Sequence, residues 1–374
     1  MIRELFICSC LMLCSASVAH ADISNMQQNI QQQINNDRDV YKIGAIAVSY
    51  ELADSNDVYS NYSGATKLDG EKPVGPDNLF QVGSITKSFI AATILQLEQE
   101  GKLKITDPIG KYLPNYVKWR SITIRQLLNH TSGIYDYTIL PQFDHVSTPD
   151  NDHKQWTPQE IVASVYDHKP YFQPGEGFHY SNTNYILLGM LIHKITHQTV
   201  QYELDHRFLR EDQLDLTNSY YLPGKYPHSI LAWLVDGYFL NKNETHINMS
   251  WAGSAGALVS NSIDLVRWVK QLMTGKVLQT QQLRELKTLV SIPAGKPLPK
   301  NSRDFAYGLG IKRVYQPNIG LIWFHPGATT GYTAIMVWLP KKHIALAVTT
   351  NAGNLGREKI KQIAFGLLEL LISR

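Results

Sequence analysis

The stretch QVGSITKSFIAATILQLEQEG, residues 81–101, decides the fold of this chain. Its pattern predicts a helix that opens at Ser84, carries Lys87 one turn later and is apolar on nearly every face. A helix without a polar face belongs in a protein interior, so we expect the rest of the chain to pack around it. Gly83 permits a tight entry, and Gly101 is the expected residue after the last turn.

Ser84 and Lys87 form an S-x-x-K motif that places both side chains on one helix face. A serine hydroxyl is a poor nucleophile unless a base takes its proton, and a lysine desolvated by apolar neighbours can have a pKa low enough to help. Phe89, Ile90 and Ile94 supply such neighbours. A single S-x-x-K also arises by chance in a chain of this length, so further motifs are needed.

The composition is that of an ordinary globular protein. The chain has 374 residues, of which 44% are hydrophobic and 18% charged, with a net charge of +3. This length suffices for a large core and two structural lobes. No basic run is longer than a pair such as Lys341 and Lys342, so we expect no nucleic-acid partner. No motif calls for a cofactor or a metal.

Residues 1–21 predict a cleavable secretion signal. Arg3 precedes the apolar run LFICSCLMLC, and residues 19–21 read Ala-His-Ala, an A-x-A cleavage pattern. The apolar run is too short to span a bilayer. We therefore expect a secreted or periplasmic mature protein that starts at Asp22 and has no stable membrane span. All 3 cysteines lie in the signal, which leaves no disulfide, catalytic thiol or cysteine-ligated zinc in the mature chain.

The order of the periodic patterns predicts an α+β fold. Strand patterns occur near both ends of the chain and helix patterns between them, which indicates one antiparallel sheet formed from both ends, flanked by helices, with an inserted all-helical lobe. We expect residues 22–374 to form a single catalytic domain, with an α/β lobe of about 22–115 plus 301–374 and a helical lobe of about 116–300. The predicted strands are 43–50, 58–65, 305–314, 321–325, 332–339 and 344–350, and the predicted helices are 22–38, 81–101, 124–133, 157–168, 183–198, 262–273 and 357–373.

A second candidate motif is Tyr180-Ser181-Asn182, which follows a glycine-rich turn and precedes a predicted helix. A tyrosine held there could carry a proton for a nucleophile, and the Asn182 amide could orient a substrate amide. The plainer interpretation is that Asn182 caps the helix. The same tripeptide occurs at residues 59–61 in a predicted strand, so the motif means little without its context.

A third candidate motif is His325-Pro326-Gly327-Ala328, between two predicted strands. Gly327 would let a substrate lie against the strand edge, and the Ala328 amide could join the Ser84 amide in an oxyanion hole. The plainer interpretation is a turn that contains a histidine.

In this order, S-I-T-K, Y-S-N and H-P-G resemble the motifs of the class C serine β-lactamase and D-alanyl-D-alanine carboxypeptidase family, which includes esterases and D-aminopeptidases. The resemblance runs from about Tyr41 to Leu371. It also takes in three framework segments, LLNHTSG (127–133), WAGSAGALVS (251–260) and YGLGI (307–311).

The resemblance implies a β-lactamase/transpeptidase-like fold and a role for each motif residue. Ser84 would be the acylated nucleophile, Lys87 its hydrogen-bonded partner and Tyr180 the base for acylation and deacylation. The substrate-binding residues would be Asn182, His325, Gly327 and Ala328.

The third motif departs from the family pattern, because β-lactamases of this branch usually carry Lys-Thr-Gly or Lys-Ser-Gly there. His325 weakens the positive charge and Pro326 removes the hydroxyl, and both groups help to hold a substrate carboxylate. We therefore expect a D-alanyl-D-alanine carboxypeptidase-like enzyme or a related peptidase, amidase or esterase rather than a β-lactamase. Thr329, Thr330 or an arginine from elsewhere could compensate.

Two further motifs do not support a function of their own. Residues 252–256, AGSAG, are close to a G-x-S-x-G nucleophile elbow but lack its strand–turn–helix context. His193 and His197 have metal-binding helical spacing but lack the glutamate of H-E-x-x-H. The alternatives that stay open are a β-lactamase and, in another class, a non-catalytic peptidoglycan- or partner-binding module on the same fold. For the enzyme, the expected partner is a small molecule or peptide with an amide or ester bond, such as a peptidoglycan stem peptide.

Overall fold

The computed structural model describes residues 23–53, 57–144, 154–210 and 214–373. The predicted secretion signal lies outside these residues. Within the described part of the chain, no helix is both long and apolar enough to cross a membrane.

The described residues form helices and strands along the whole chain. The α-helices are α1 (23–41), α2 (Thr86–Gln99), α3 (Ile124–Leu128), α4 (Pro158–Ala163), α5 (Asn182–Thr196), α6 (Val200–Leu204), α7 (His228–Leu231), α8 (Gly253–Gly256), α9 (Ser262–Thr274), α10 (Thr280–Leu286) and α11 (Gly356–Ile372). The strands are β1 (Ala45–Glu51), β2 (Val58–Gly64), β3 (Phe80–Gln81), β4 (Tyr220–Tyr221), β5 (Tyr238–Phe239), β6 (Lys242–Asn243), β7 (Leu258–Ser260), β8 (Leu289–Ser291), β9 (Pro297–Leu298), β10 (Ala306–Tyr307), β11 (Lys312–Gln316), β12 (Gly320–Ala328), β13 (Thr333–Leu339) and β14 (Ile344–Thr350).

One antiparallel sheet joins the two ends of the chain, as predicted. Its strand order is β2-β1-β14-β13-β12-β11-β10-β8-β9. Val48 of β1 lies opposite Asn61 of β2 on one side and opposite Val348 of β14 on the other. Central strands β1, β13 and β14 are buried along their entire length, because helices cover both faces of the sheet.

The two faces of the sheet carry separate hydrophobic cores. Helices α1 and α11 pack on one face, where Ile34, Leu367 and Val337 of β13 belong to one hydrophobic core. Helix α9 packs on the other face and connects the sheet to the remaining helices. Phe89 of α2 stacks on Trp268 of α9 with ring centroids 3.7 Å apart, so α2 is part of this second core.

Helix α2 is enclosed by the protein, as its sequence predicted. All residues from Thr86 to Leu95 are buried, and the helix packs against α5, α8 and α10. Gly101 follows its C-cap with φ of +73°, the left-handed conformation that glycine adopts without a Cβ penalty.

Some element boundaries differ from the predictions. The α-helix begins at Thr86, and Ser84 lies in a preceding 3₁₀ turn, Gly83–Ile85. Helix α3 ends at Leu128 instead of reaching residue 133, because His130 takes a left-handed conformation with φ of +61°. The prediction that the inserted lobe is all-helical was wrong: β4 to β9 lie within it, each two or three residues long and too short to show an alternating pattern.

Candidate active site

Ser84 lies at the start of α2 because a network of hydrogen bonds fixes the turn before it. The Val82 N–H donates to Leu258 O of β7 (3.0 Å), and the Thr86 hydroxyl donates to Gly83 O (2.7 Å) while accepting from the Leu258 N–H (3.1 Å). Gly83 has φ of +49°. This geometry keeps Ser84 at the edge of a cleft while Lys87, on the next turn, points to it from inside.

The Lys87 ammonium nitrogen is fully buried and has three oxygen neighbours. Nζ lies 3.2 Å from Ser84 Oγ, 2.8 Å from Asn182 Oδ1 and 2.6 Å from Ala255 O. The amide and carbonyl oxygens can only accept, so they take two N–H groups of Lys87. When Lys87 is neutral, its lone pair is left facing the Ser84 hydroxyl, which is the arrangement a general base requires.

The surroundings of Lys87 favour the neutral amine. Burial lowers its pKa well below the usual range, and the positive charge of Arg357 lowers the pKa further. Asp136 acts in the opposite direction and raises the pKa, and Lys312 lowers it again.

Asn182 is held in place by Asp136, a residue that sequence reasoning missed. The Asn182 backbone N–H donates to Asp136 Oδ1 (3.0 Å), and its side-chain NH₂ contacts both carboxylate oxygens (3.2 Å each). Its Oδ1 accepts from Lys87. The Asn182 NH₂ group is thus used within the protein, and the direct contact with a substrate amide stays a prediction. No local motif marks Asp136, which lies 46 residues before Asn182.

Tyr180 lies above Lys87 and is surrounded by positive charge. Lys87 Nζ is 5.0 Å from the Tyr180 ring centroid, Arg357 Cζ is 5.5 Å away and Lys312 Nζ is 5.6 Å away. Burial raises the Tyr180 pKa to about 12, although Arg357 and the neighbouring Ser84 side chain lower it. At neutral pH Tyr180 is therefore a phenol, suited to donate a proton, which favours Lys87 rather than Tyr180 as the resting base.

His325 lies behind the cleft rather than along it. Its side chain is 1% exposed, and both ring nitrogens are occupied: Nε2 is 3.1 Å from Tyr307 Oη, and Nδ1 is 2.8 Å from Pro326 O. Burial lowers the His325 pKa well below its usual value, and Lys312 and Lys87 lower it further. A direct contact between His325 and a substrate, as the resemblance implied, would require one of these hydrogen bonds to open.

Gly327 and Ala328 of β12 lie directly against the Ser84 turn. A Cβ on Gly327 would meet Val82 O at 1.9 Å and the Ser84 nitrogen at 3.0 Å, and a Cβ on Gly83 would meet the Ala328 nitrogen at 2.7 Å. Both positions require glycine. This close approach brings the two backbone amides of the predicted oxyanion hole to one end of the cleft.

We therefore predict that Gly327→Ala severely impairs any acyl transfer at Ser84. The added methyl group must push β12 away from Val82, and a displacement of about 1 Å in an active site can cost about 10²-fold in rate. Steady-state kinetics with thermal denaturation of the same variant would measure this. Gly366→Ala, where no atom lies within 4 Å of a new Cβ, is the matched control. Full activity in Gly327→Ala would argue against the oxyanion-hole assignment.

The cleft at Ser84 holds about 400 Å³ of empty space. Ser84, Asn182 and Ala328 all line it, as expected, whereas Arg357 at the start of α11 was not predicted. The other lining residues are Tyr137, Thr138, Trp251, Ala252, Ala255, Gly256 and Thr329. The sequence predicted that an arginine from elsewhere could compensate for the weakened carboxylate binding, but spacing alone could not identify Arg357 as that residue.

The competing candidate side chains lie outside this cleft. Ala252, Ala255 and Gly256 of the AGSAG motif line the cleft, but the Ser254 hydroxyl of α8 donates to Tyr185 O of α5 (2.8 Å), and Ser254 lines a different groove. Residues 59–61 form part of β2. His193 Nδ1 is 2.8 Å from Gln198 O on the helix surface.

The chain is similar to known proteins in both sequence and structure. The family model described as Beta-lactamase matches residues 38–369. A D-stereospecific amidohydrolase from Streptomyces sp. is 29% identical with a TM-score of 0.77, covering 91% of this chain and 98% of that chain. The D-amino acid amidase from Ochrobactrum anthropi SV3, in complex with D-phenylalanine, is 25% identical with a TM-score of 0.79, covering 94% of this chain and 100% of that chain.

Curated relatives extend the similarity to penicillin-binding proteins. Penicillin-binding protein 4* of Bacillus subtilis (strain 168) is 27% identical over 301 residues, covering 76% of this chain and 63% of that protein. Protein flp of Staphylococcus aureus (strain MW2) is 27% identical over 330 residues, covering 86% of this chain and 63% of that protein. The chain thus spans just under two thirds of the length of these curated relatives.

Proposed function

This chain belongs to the Beta-lactamase family of serine hydrolases, and we propose that it cleaves an amide or peptide bond through an acyl-enzyme on Ser84. The observation that carries the proposal is the buried Lys87 amine, whose two protein acceptors leave its third position for the Ser84 hydroxyl. A buried amine with a lowered pKa beside a hydroxyl is the arrangement that activates a serine.

The proposed reaction moves one proton across the site. Ser84 Oγ attacks the carbonyl carbon as its proton passes to Lys87 Nζ, and the Ser84 and Ala328 amides bind the oxygen that becomes negative. The C–N bond then breaks, and the Tyr180 phenol donates a proton to the leaving nitrogen while Lys87 returns one to Tyr180. Water attacks the acyl-enzyme by the same route, which releases the acid and regenerates Ser84.

The substrate class we propose is a short peptide or amide with a D-residue at the cleaved bond. The similarity to two D-specific amide hydrolases supports the D-configuration, and the penicillin-binding-protein relatives support a D-alanyl-D-alanine carboxypeptidase-like activity as the second candidate. Arg357 favours that second candidate, because its guanidinium lines the cleft and could receive a terminal carboxylate. The predicted secretion signal supports an exported site of action, where peptidoglycan stem peptides occur.

A side-by-side assay tests the substrate class. Purified protein would be given nitrocefin, a D-Ala-D-Ala peptide, a D-amino-acid amide and a short p-nitrophenyl ester. We expect turnover of the amide or the peptide, and of the activated ester, with nitrocefin the poorest substrate because position 325 lacks a lysine. Turnover of nitrocefin far above that of the other three would overturn the proposal in favour of a β-lactamase.

Arg357→Gln separates the two candidate substrates. If Arg357 binds a terminal carboxylate, the variant raises KM for the D-Ala-D-Ala peptide about tenfold, the cost of one charge-assisted hydrogen bond of about 1.5 kcal/mol. KM for the p-nitrophenyl ester, which has no carboxylate, stays unchanged. Lys359→Gln is the control, because Lys359 lies on the same helix over the Tyr41 ring. An equal rise in KM for both substrates would exclude carboxylate recognition by Arg357.

A further inference from the structure

A chain of hydrogen bonds runs behind the candidate active site from the Tyr180 loop to β12. The Ser181 N–H is 3.2 Å from His130 Nδ1, and His130 Nε2 is 3.2 Å from Tyr307 Oη. Tyr307 Oη is 3.1 Å from His325 Nε2, and His325 Nδ1 is 2.8 Å from Pro326 O. The chain therefore begins one residue after Tyr180 and ends two residues before Ala328.

The two ends of this chain determine which ring nitrogen of each histidine carries the proton. The Ser181 backbone N–H can only donate, so His130 Nδ1 must accept and the His130 proton must be on Nε2. The Asn184 NH₂ reinforces this, at 3.3 Å from the same Nδ1, because Asn184 Oδ1 already accepts from Ser132. His130 then donates to Tyr307.

The other end leads to a single protonation state for His325. Pro326 O can only accept, so His325 Nδ1 carries the proton. Tyr307 accepts from His130 and can direct its own O–H to His325 Nε2; the Tyr185 hydroxyl beside it already donates to Leu128 O (2.9 Å). A second proton on His325 would meet this O–H, and Tyr307 would have to give up its bond to His325 and turn its O–H to Tyr185.

The backbone at His130 indicates that this side chain is retained despite a conformational cost. His130 has φ of +61° at the position after the C-cap of α3, where glycine is the usual residue. A side chain in this conformation costs roughly 1 kcal/mol or more. Its ring is fully buried, packs against the Tyr180 ring at a tilt of 34° with centroids 4.2 Å apart, and makes the two hydrogen bonds described above.

The charges around His325 also oppose a second proton. No carboxylate is among the titratable and charged side chains that the described residues direct at its ring, so an imidazolium would lie among cations without a partner. These side chains are Lys87, His130, Tyr180, Tyr307, Lys312 and Arg357.

We propose that His130 and Tyr307 are positioning residues that lock His325 as a neutral imidazole with its proton on Nδ1, and thereby tie the Tyr180 loop to the β12 segment that carries Ala328. His325 is then not a substitute for the lysine at this position in related β-lactamases. It is the terminal member of a rigid polar connection between the proton donor and the oxyanion hole. The catalytic part of this inference rests on the proposed function, whereas the protonation state of His325 does not.

The first test is a direct observation of the two imidazoles in the full chain. Two-bond ¹H–¹⁵N spectra of histidine-labelled protein, assigned with His130→Asn and His325→Gln, report which ring nitrogen carries the proton. We expect His325 protonated on Nδ1, His130 protonated on Nε2, and neither ring charged as the pH falls to 6. An Nε2-protonated or charged His325 in the wild-type protein would overturn the inference.

The second test releases the lock. In Tyr307→Phe no O–H faces His325 Nε2, and in His130→Asn nothing prevents Tyr307 from turning to accept. In both variants we expect the pKa of His325 to rise relative to the wild-type protein, while burial and the cations Lys312 and Lys87 still hold it below its ordinary value. Because His325 must be neutral, a rise of about one unit in its pKa moves its contribution to the acid limb of kcat up by about one pH unit in both variants.

Tyr332→Phe is the matched control, because it too removes a buried, hydrogen-bonded phenol hydroxyl, but that hydroxyl donates to the backbone oxygen of Val235 (2.6 Å) instead of bonding to a histidine. It should leave the His325 spectrum and the pH profile as in wild type. A His325 spectrum that stays identical to that of wild type at every pH in both releasing variants contradicts the lock. If the wild-type protein shows the expected spectra but no turnover, the result would count against the proposed function alone.

Discussion

Replacing Ser84 with alanine is expected to lower kcat by at least about 10⁴-fold, the scale seen when the nucleophile of a serine hydrolase is removed. Without Oγ there is no atom to form the acyl-enzyme, and Lys87 has no hydroxyl proton to accept. Substrate binding should be kept, because the oxyanion amides and the cleft walls are unchanged. Initial rates on the best substrate of the four-substrate assay, together with direct binding measurements, would show the separation.

Ser254→Ala is the control for this experiment. Ser254 lies in the AGSAG motif, which resembles a nucleophile elbow. Its hydroxyl donates to Tyr185 O outside the cleft. We expect turnover within about twofold of wild type, since such a substitution leaves every proposed participant in place. Loss of turnover in Ser254→Ala with activity kept in Ser84→Ala would move the nucleophile to α8.

Replacing Lys87 with methionine is expected to lower kcat/KM on the order of 10²–10⁴-fold, the range for loss of a placed acid–base group. Methionine keeps the volume of the side chain in the buried site but removes the amine that faces Ser84. Thermal stability should fall, because Asn182 Oδ1 and Ala255 O lose the donor that Lys87 supplies, at a cost of about 1–3 kcal/mol for a buried acceptor. A loss of activity in protein that is still folded at the assay temperature is the signature of a catalytic role.

The pH dependence of the wild-type enzyme gives a second measure of Lys87. The base must be neutral, and burial lowers its pKa well below the usual lysine range. Activity should therefore be present at neutral pH and fall as the pH drops through the lowered pKa, when Lys87 gains a proton. This acid limb should be absent from the residual rate of Lys87→Met.

Lys287→Met is the control for the lysine substitution. Lys287 is also partly buried, with a pKa lowered by burial, but it donates to Met273 O (3.1 Å) at the C-terminal end of α9. Activity should remain at the wild-type level. Equal losses of activity in Lys287→Met and Lys87→Met would indicate that the effect of Lys87→Met is structural.

Much of this architecture can be predicted from the sequence because the relevant signals are local and strong. The alternating and apolar runs at both ends of the chain predicted the antiparallel sheet, and the apolar pattern around Ser84 predicted the buried helix. Helix α4 shows the same locality: residues 157–160 read T-P-Q-E, a capping-box pattern, and the box is present, with the N–H of Glu160 3.2 Å from Thr157 Oγ1.

The residues that the sequence did not reveal act over long distances in the chain. Asp136 supports Asn182, and Arg357 reaches the cleft from the last helix, yet neither lies in a pattern with its partner. The orientation of His325 was also beyond prediction, because it depends on Tyr307 and His130 from two other elements. A motif indicates which residue types are present, whereas the hydrogen-bond directions decide what each can do.

The covalent step at Ser84 is the central claim, and mass mapping of a fluorophosphonate adduct tests it most directly. We expect one adduct on wild-type protein, on the peptide that contains Ser84, formed as Oγ displaces fluoride from phosphorus. The adduct should be absent from Ser84→Ala and strongly slowed in Lys87→Met. No adduct on wild-type protein, or an adduct that persists in Ser84→Ala, would contradict the account.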